Sequence, residues 1–107
     1  MESEKAQQLQ FFQQNLQTIL MQKQAFQMEL NETLATLEEI EKSPEEPYKL
    51  LGKILVKMSK KEVEEELHKK KKILETRLNK LEENEEKFNN EIKKIRDELL
   101  KENPKTE

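Results

Sequence analysis

Between Leu9 and Ile40 the apolar residues return at alternating intervals of three and four. A seven-residue template sets Leu9, Leu16, Lys23, Leu30 and Leu37 at its a positions and Phe12, Ile19, Phe26, Thr33 and Ile40 at its d positions. Only Lys23 and Thr33 break it. This spacing lays a narrow apolar stripe along one side of a helix, the seam of a coiled coil. No Gly or Pro interrupts the stretch, so the pattern predicts one helix over about residues 4–42. Ser43-Pro44-Glu45-Glu46-Pro47 should stop it, because each Pro lacks a backbone donor and pushes its predecessor out of helical geometry.

A second template has a positions Leu67, Leu74, Leu81, Phe88 and Ile95 and d positions Lys71, Leu78, Glu85, Ile92 and Leu99, with Lys71 and Glu85 as its exceptions. It predicts a helix over about residues 60–102. Ser59-Lys60-Lys61-Glu62 fits a capping box, in which a hydroxyl and a carboxylate each accept from an amide that the helix start leaves unpaired. Met58 and Val63 add a hydrophobic staple, and Pro104 marks the end. Glu65/Lys69, Glu66/Lys70, Glu83/Lys87 and Asp97/Lys101 lie four apart with the acid first, the favoured order for ion pairs on an exposed face.

Between the helices, Tyr48 to Met58 holds dense apolar and β-branched residues around the single Gly52. It reads as a β-hairpin over about residues 47–58, turning near Gly52-Lys53. Lys53, Leu55 and Lys57 would face one way and Ile54, Val56 and Met58 the other, as in a strand with one buried side. A lone two-stranded hairpin is marginal in water, so its apolar face and open edges predict pairing with strands of other subunits. Folding back at the hairpin makes the helices antiparallel. One register then sets Leu9 against Leu99, Phe12 against Ile95, Leu16 against Ile92, Ile19 against Phe88 and Lys23 against Glu85. Sliding by one heptad buries Lys23, Glu85 and Lys71 against leucines, so the first register is preferred, with Lys23–Glu85 selecting it by penalising the slip.

Composition changes this picture mainly by exclusion. The 107 residues are 33% apolar, 40% charged and 5% aromatic, with one Gly, three Pro and no Cys. So few apolar residues would leave a chain unfolded unless a seam concentrated them, as the templates do. The chain reads as one domain over residues 1–107, mainly α. No run approaches the roughly 20 apolar residues of a membrane span. Met1 to Lys5 leads into glutamines rather than an apolar stretch, so a cytoplasmic protein without a signal peptide is expected. Absence of Cys and a single His68 leave no Cys-based zinc site and little for imidazole chemistry, and one glycine cannot build a phosphate-cradling loop. No metal, no cofactor and no enzymatic activity are expected. Net charge is −3, without the basic excess of a nucleic-acid binder. Lys69-Lys70-Lys71-Lys72 follows Glu62, Glu64, Glu65 and Glu66 by one to two turns, so it reads as a solvated face rather than a polyanion site. Phe11, Phe12, Leu20 and Met21 exceed what the seam can cover. They read either as packing against further helices or as an adaptable apolar surface kept soluble by glutamines.

The order of long helix, Tyr48-Lys49-Leu50-Leu51-Gly52-Lys53-Ile54-Leu55-Val56-Lys57 hairpin, and then Glu64-Glu65-Glu66-Leu67 and Leu74-Glu75-Thr76-Arg77-Leu78 resembles the beta-type subunit of prefoldin over nearly the whole chain. The hairpin segment and the capped helix carry the likeness. Alpha-type subunits are longer and have two hairpins. The resemblance implies a hexamer of two alpha-type and four beta-type subunits, whose hairpins join in a double β-barrel platform bearing six coiled coils. Assembly would then fall to Tyr48, Leu50, Leu51, Gly52, Ile54, Leu55, Val56 and Met58. It also implies ATP-independent capture of non-native polypeptide at helix ends remote from the platform, and transfer to a group II chaperonin. A helix over residues 60–102 would be about 65 Å long. By position, the client-facing candidates are Leu9, Phe11, Phe12, Leu16, Ile92, Ile95, Leu99 and Leu100. The Cys-free, Lys/Glu-rich composition leans towards an archaeal source. Two other readings stay open: a structural coiled-coil adaptor, told apart by failure to suppress aggregation, and a nucleic-acid-associated coiled coil using Lys69 to Lys72, told apart by steeply salt-dependent binding.

Overall fold

The computed structural model describes residues 4–102. Pro104, the expected stop of the second helix, and Met1 to Ser3, read above for a leader, lie outside the described residues. The element order is α1 (Glu4–Lys42), β1 (Tyr48–Leu51), β2 (Ile54–Lys57) and α2 (Lys60–Glu102). It is the expected mainly α arrangement of two helices joined by a hairpin. The chain divides into two units: Phe26–Leu78, and the start of α1 up to Ala25 with α2 from Asn79 onwards.

In the unit Phe26–Leu78 the core is Leu30, Leu74 and Leu78, with Phe26 packed against it. Thr33 is buried at a d position, where its hydroxyl donates to the Glu29 carbonyl at 2.8 Å, so the polar exception is satisfied within its own helix. Among the described residues every buried one, from Ile19 to Ile95, falls on an a or d position of the two templates. Burial therefore follows the sequence pattern residue by residue.

The loops around the hairpin are held by polar contacts that complete both helix ends. The Ser43 amide donates to the Glu39 carbonyl at 3.0 Å, and Lys60 Nζ reaches the carbonyls of Glu41 and Ser43 at 3.3 and 3.0 Å. A cation thus sits on the acceptors that α1 leaves free at its C-terminus. At the start of α2 the Glu62 amide donates to Ser59 Oγ at 3.1 Å, the hydroxyl half of the expected capping box. A further cap comes from the linker, where the Glu46 carboxylate accepts the Lys60 amide at 2.8 Å. Gly52 has φ +61°, and no other described residue has a positive φ. This is a two-residue type II′ turn with Gly first, the geometry whose twist matches the flanking strands.

One expected surface pair, Glu66/Lys70, resolves differently. Glu66 takes Lys49 of β1 at 2.9 Å and Lys70 takes Glu29 of α1 at 3.2 Å, instead of pairing with each other along α2. An i,i+4 pair is worth only a few tenths of a kcal/mol, so a cross-element partner within reach is enough to displace it.

In the other unit Ile19, Ile92 and Ile95 are buried. Lys23 Nζ donates to Glu85 Oε1 at 2.7 Å, the pair that the register argument requires. Both side chains are half-buried, and the hydrogen bond to Glu85 holds the Lys23 pKa above its ordinary 10.5 against the opposing effect of burial. Phe12 meets the Phe88 ring at 5.6 Å, a contact outside the layers set out above, while sharing a groove with its expected neighbour Ile95. A seam side chain enters a hole of four residues whose far corners are one heptad apart, so Phe12 reaches both. Reversing Lys23 or Glu85 alone should lower the thermal midpoint of the chain, and reversing both should restore most of it. Strictly additive losses in such a double-mutant cycle would remove the pair as a register determinant.

Candidate functional site

Two surfaces hold apolar groups that the seam leaves uncovered. The first is the hairpin. Its register is Tyr48↔Lys57, Lys49↔Val56, Leu50↔Leu55 and Leu51↔Ile54. Directly opposed residues share a face, so Tyr48, Leu50, Leu55 and Lys57 lie on one side and Lys49, Leu51, Ile54 and Val56 on the other. The Lys49–Glu66 ion pair joins the second face to the first turns of α2; Lys49 is the one half-buried residue of the two strands, and Val56 on the same face is 39% exposed. Ile54, near the turn, is 66% exposed. The expected buried side of β2 is therefore not covered within this chain: all four of its residues are exposed. Of the eight hairpin residues named from the sequence, only Met58 is half-buried. Four residues per strand are too few to cover both faces of the sheet, and both faces are apolar.

The second surface is where the start of α1 meets the end of α2. Phe11 is 59% exposed and stacks edge-on against Phe12, ring centroids 5.7 Å apart. Phe12, Ile95, Gln8, Glu91, Lys94 and Glu98 line with Phe11 a groove of about 400 Å³. Of the eight candidates named from the sequence, Phe11 and Leu100 are exposed, and Leu9, Phe12, Leu16 and Leu99 are half-buried. Ile92 and Ile95 are buried in the seam, Ile95 to 4% exposure. Adjacent candidates thus differ in accessibility because only part of the template lies at the groove.

The remaining chemistry is sparse. His68 is exposed, and no cluster of three metal-ligating side chains occurs among the described residues. The four-lysine run is split, with Lys70 tied to Glu29 and Lys71 half-buried. Lys69 and Lys72 flank the exposed Ile73 beside Arg77, whose guanidinium lies 5.6 Å from the centre of the Phe26 ring. Sequence reading missed this cation–π contact, and it also missed Lys5, which pairs with Glu98 and Glu102 across the helix ends. The only available signal for Lys5 was its place at the closing layer of the preferred register. No helix among the described residues is long and apolar enough to cross a membrane.

A helix, a single exposed hairpin and a second helix, closed by an antiparallel seam, define a coiled-coil subunit of the prefoldin type. A family model described as prefoldin subunit matches residues 3–104. The prefoldin beta subunit of Pyrococcus abyssi is 42% identical over 90 residues, covering 82% of this chain and 77% of that protein. That of Thermococcus gammatolerans is 47% identical over the same length, with the same coverage. A crystal structure of the prefoldin beta subunit from Thermococcus strain KS-1 superposes with a TM-score of 0.86 at 38% identity, covering 91% of this chain and 87% of that one. The chain belongs to the prefoldin family of non-enzymatic chaperones, as a beta-type subunit.

Proposed function

We propose that this chain assembles with alpha-type partners into a hexamer of two alpha and four beta subunits, captures non-native polypeptides at its helix ends without ATP, and passes them to a group II chaperonin. In this reading the hairpins join edge to edge in a double β-barrel platform, which covers the apolar faces that the single chain leaves open. The setting is the cytoplasm. The observation that carries client capture is the groove beside Phe11, where an exposed aromatic ring stands next to the half-buried Phe12 and the buried Ile95. Each such contact is weak, and several coiled coils engaging one chain at once would raise the avidity.

Phe11→Ser together with Leu100→Ser tests the reading with little risk to folding, since both side chains are exposed. The variant should need a severalfold higher ratio of chaperone to an unfolded client for equal suppression of aggregation. Hexamer mass and helical circular dichroism should not change. Protection at wild-type ratios would move the client surface elsewhere, first to Leu20 and Met21 on the outer side of α1.

A further inference from the structure

The start of α1 is joined to the end of α2 by one lysine. Lys5 Nζ lies 3.7 Å from Glu98 Oε2 and donates to Glu102 Oε1. The hydrogen bond to Glu102 raises the Lys5 pKa above its ordinary value, with Glu98 adding to the effect, so the ammonium stays charged throughout the neutral range. Glu102 ends α2 and Lys5 sits in the first turn of α1. Each carries the sign that its own helix terminus disfavours, while their neighbours Lys101 and Glu4 carry the favoured signs. The mismatched charges are the ones that pair across. Releasing them leaves both helix ends with an uncompensated charge at once, so the two ends loosen together.

Inward of this pairing, the next seam positions on α2 are Leu99, which is half-buried, and the buried Ile95. We propose that Lys5, Glu98 and Glu102 form a clasp whose release uncovers Ile95 and Leu99 as additional apolar contact surface for non-native chains. This rests on the reading that the helix ends hold clients. The three side chains are a third or more exposed, so the clasp is weak and salt-sensitive, as a device that opens often must be. It accounts for two facts together: seam residues at the candidate client site are covered, and the ion pairs that lie beyond them towards the helix ends are solvent-screened.

The test uses the full chain, alone and assembled with an alpha-type partner, in three forms: wild type, Lys5→Glu, and Lys5→Glu with Glu98→Lys and Glu102→Lys. Backbone hydrogen exchange over Glu91–Leu100 and Gln8–Leu16 reads the clasp without any client. Lys5→Glu should speed exchange there by roughly two- to fivefold, the range that corresponds to exposed pairs, and the triple reversal should return it towards wild type. The same single variant should protect an unfolded client at lower chaperone ratios. Unchanged exchange in Lys5→Glu would overturn the clasp. Faster exchange with unchanged protection would overturn the role of Ile95 and Leu99 as client surface. Failure of the wild type itself to suppress aggregation would overturn client capture instead, a result that the exchange data keep distinct from failure of the clasp.

Discussion

Ile54→Lys combined with Val56→Lys should abolish the assembled species with an alpha-type partner while leaving the two helices folded. Both residues lie on the hairpin face that also carries Lys49 and Leu51, so the change places three lysines around a single leucine. Burying an Ile or Val side chain contributes about 1.5–3 kcal/mol. Losing two such contacts in each subunit weakens association by roughly 10²–10⁴-fold per interface, before any penalty for burying ammonium groups. The helices should survive because their cores lie elsewhere, on Leu30, Leu74 and Leu78 in one unit and Ile19, Ile92 and Ile95 in the other. Sedimentation should show subassemblies of low mass, and circular dichroism near-normal helicity. A parallel variant, Leu50→Lys with Leu55→Lys, reports on the opposite face. An unchanged hexamer for both variants would mean that the subunits join through some other surface.

Much of this arrangement was legible in the sequence, for physical reasons that can be traced to particular residues. Helix and hairpin positions followed from where Pro44, Pro47 and Gly52 interrupt the pattern. Lys23–Glu85 was legible because two charged groups at seam positions stand out against leucines, and only one register lets them meet. The surface pairs were not. Glu66 and Lys70 each had a same-helix partner of nearly equal energy, and long side chains choose among such partners by distances that sequence does not contain. Glu46 capping α2, and Lys60 reaching back to the end of α1, required knowing how the linker folds over the helix ends. The division between Phe11, left outside, and Ile95, enclosed, depended on where the groove opens between two helices. A template can say that both are near the seam, but not which one water reaches.

Leu74→Ala should produce the largest loss of stability of any single truncation in the unit Phe26–Leu78. Leu74 is the most enclosed of the described residues at 3% exposure, and it is flanked by Leu30, Leu78 and the ring of Phe26. Truncation removes about three buried carbons and leaves a cavity that a two-helix seam can only partly close, for a cost of about 2–5 kcal/mol. With few apolar residues in the chain, one layer is a large share of what holds the helices together. The upper half of that range applies if the Phe26 ring stays fixed beneath the Arg77 guanidinium, and the lower half if it swings into the space. The neighbouring Thr33→Val serves as a control, because it keeps the side-chain volume and removes a buried hydroxyl whose only hydrogen bond is to its own helix. It should be neutral or stabilising by less than about 1 kcal/mol. Chemical denaturation followed by circular dichroism, at matched protein concentration because assembly shifts the midpoint, separates the two. A Leu74→Ala loss no greater than that of an exposed leucine such as Leu34→Ala would show that the seam does not supply the stability of this unit.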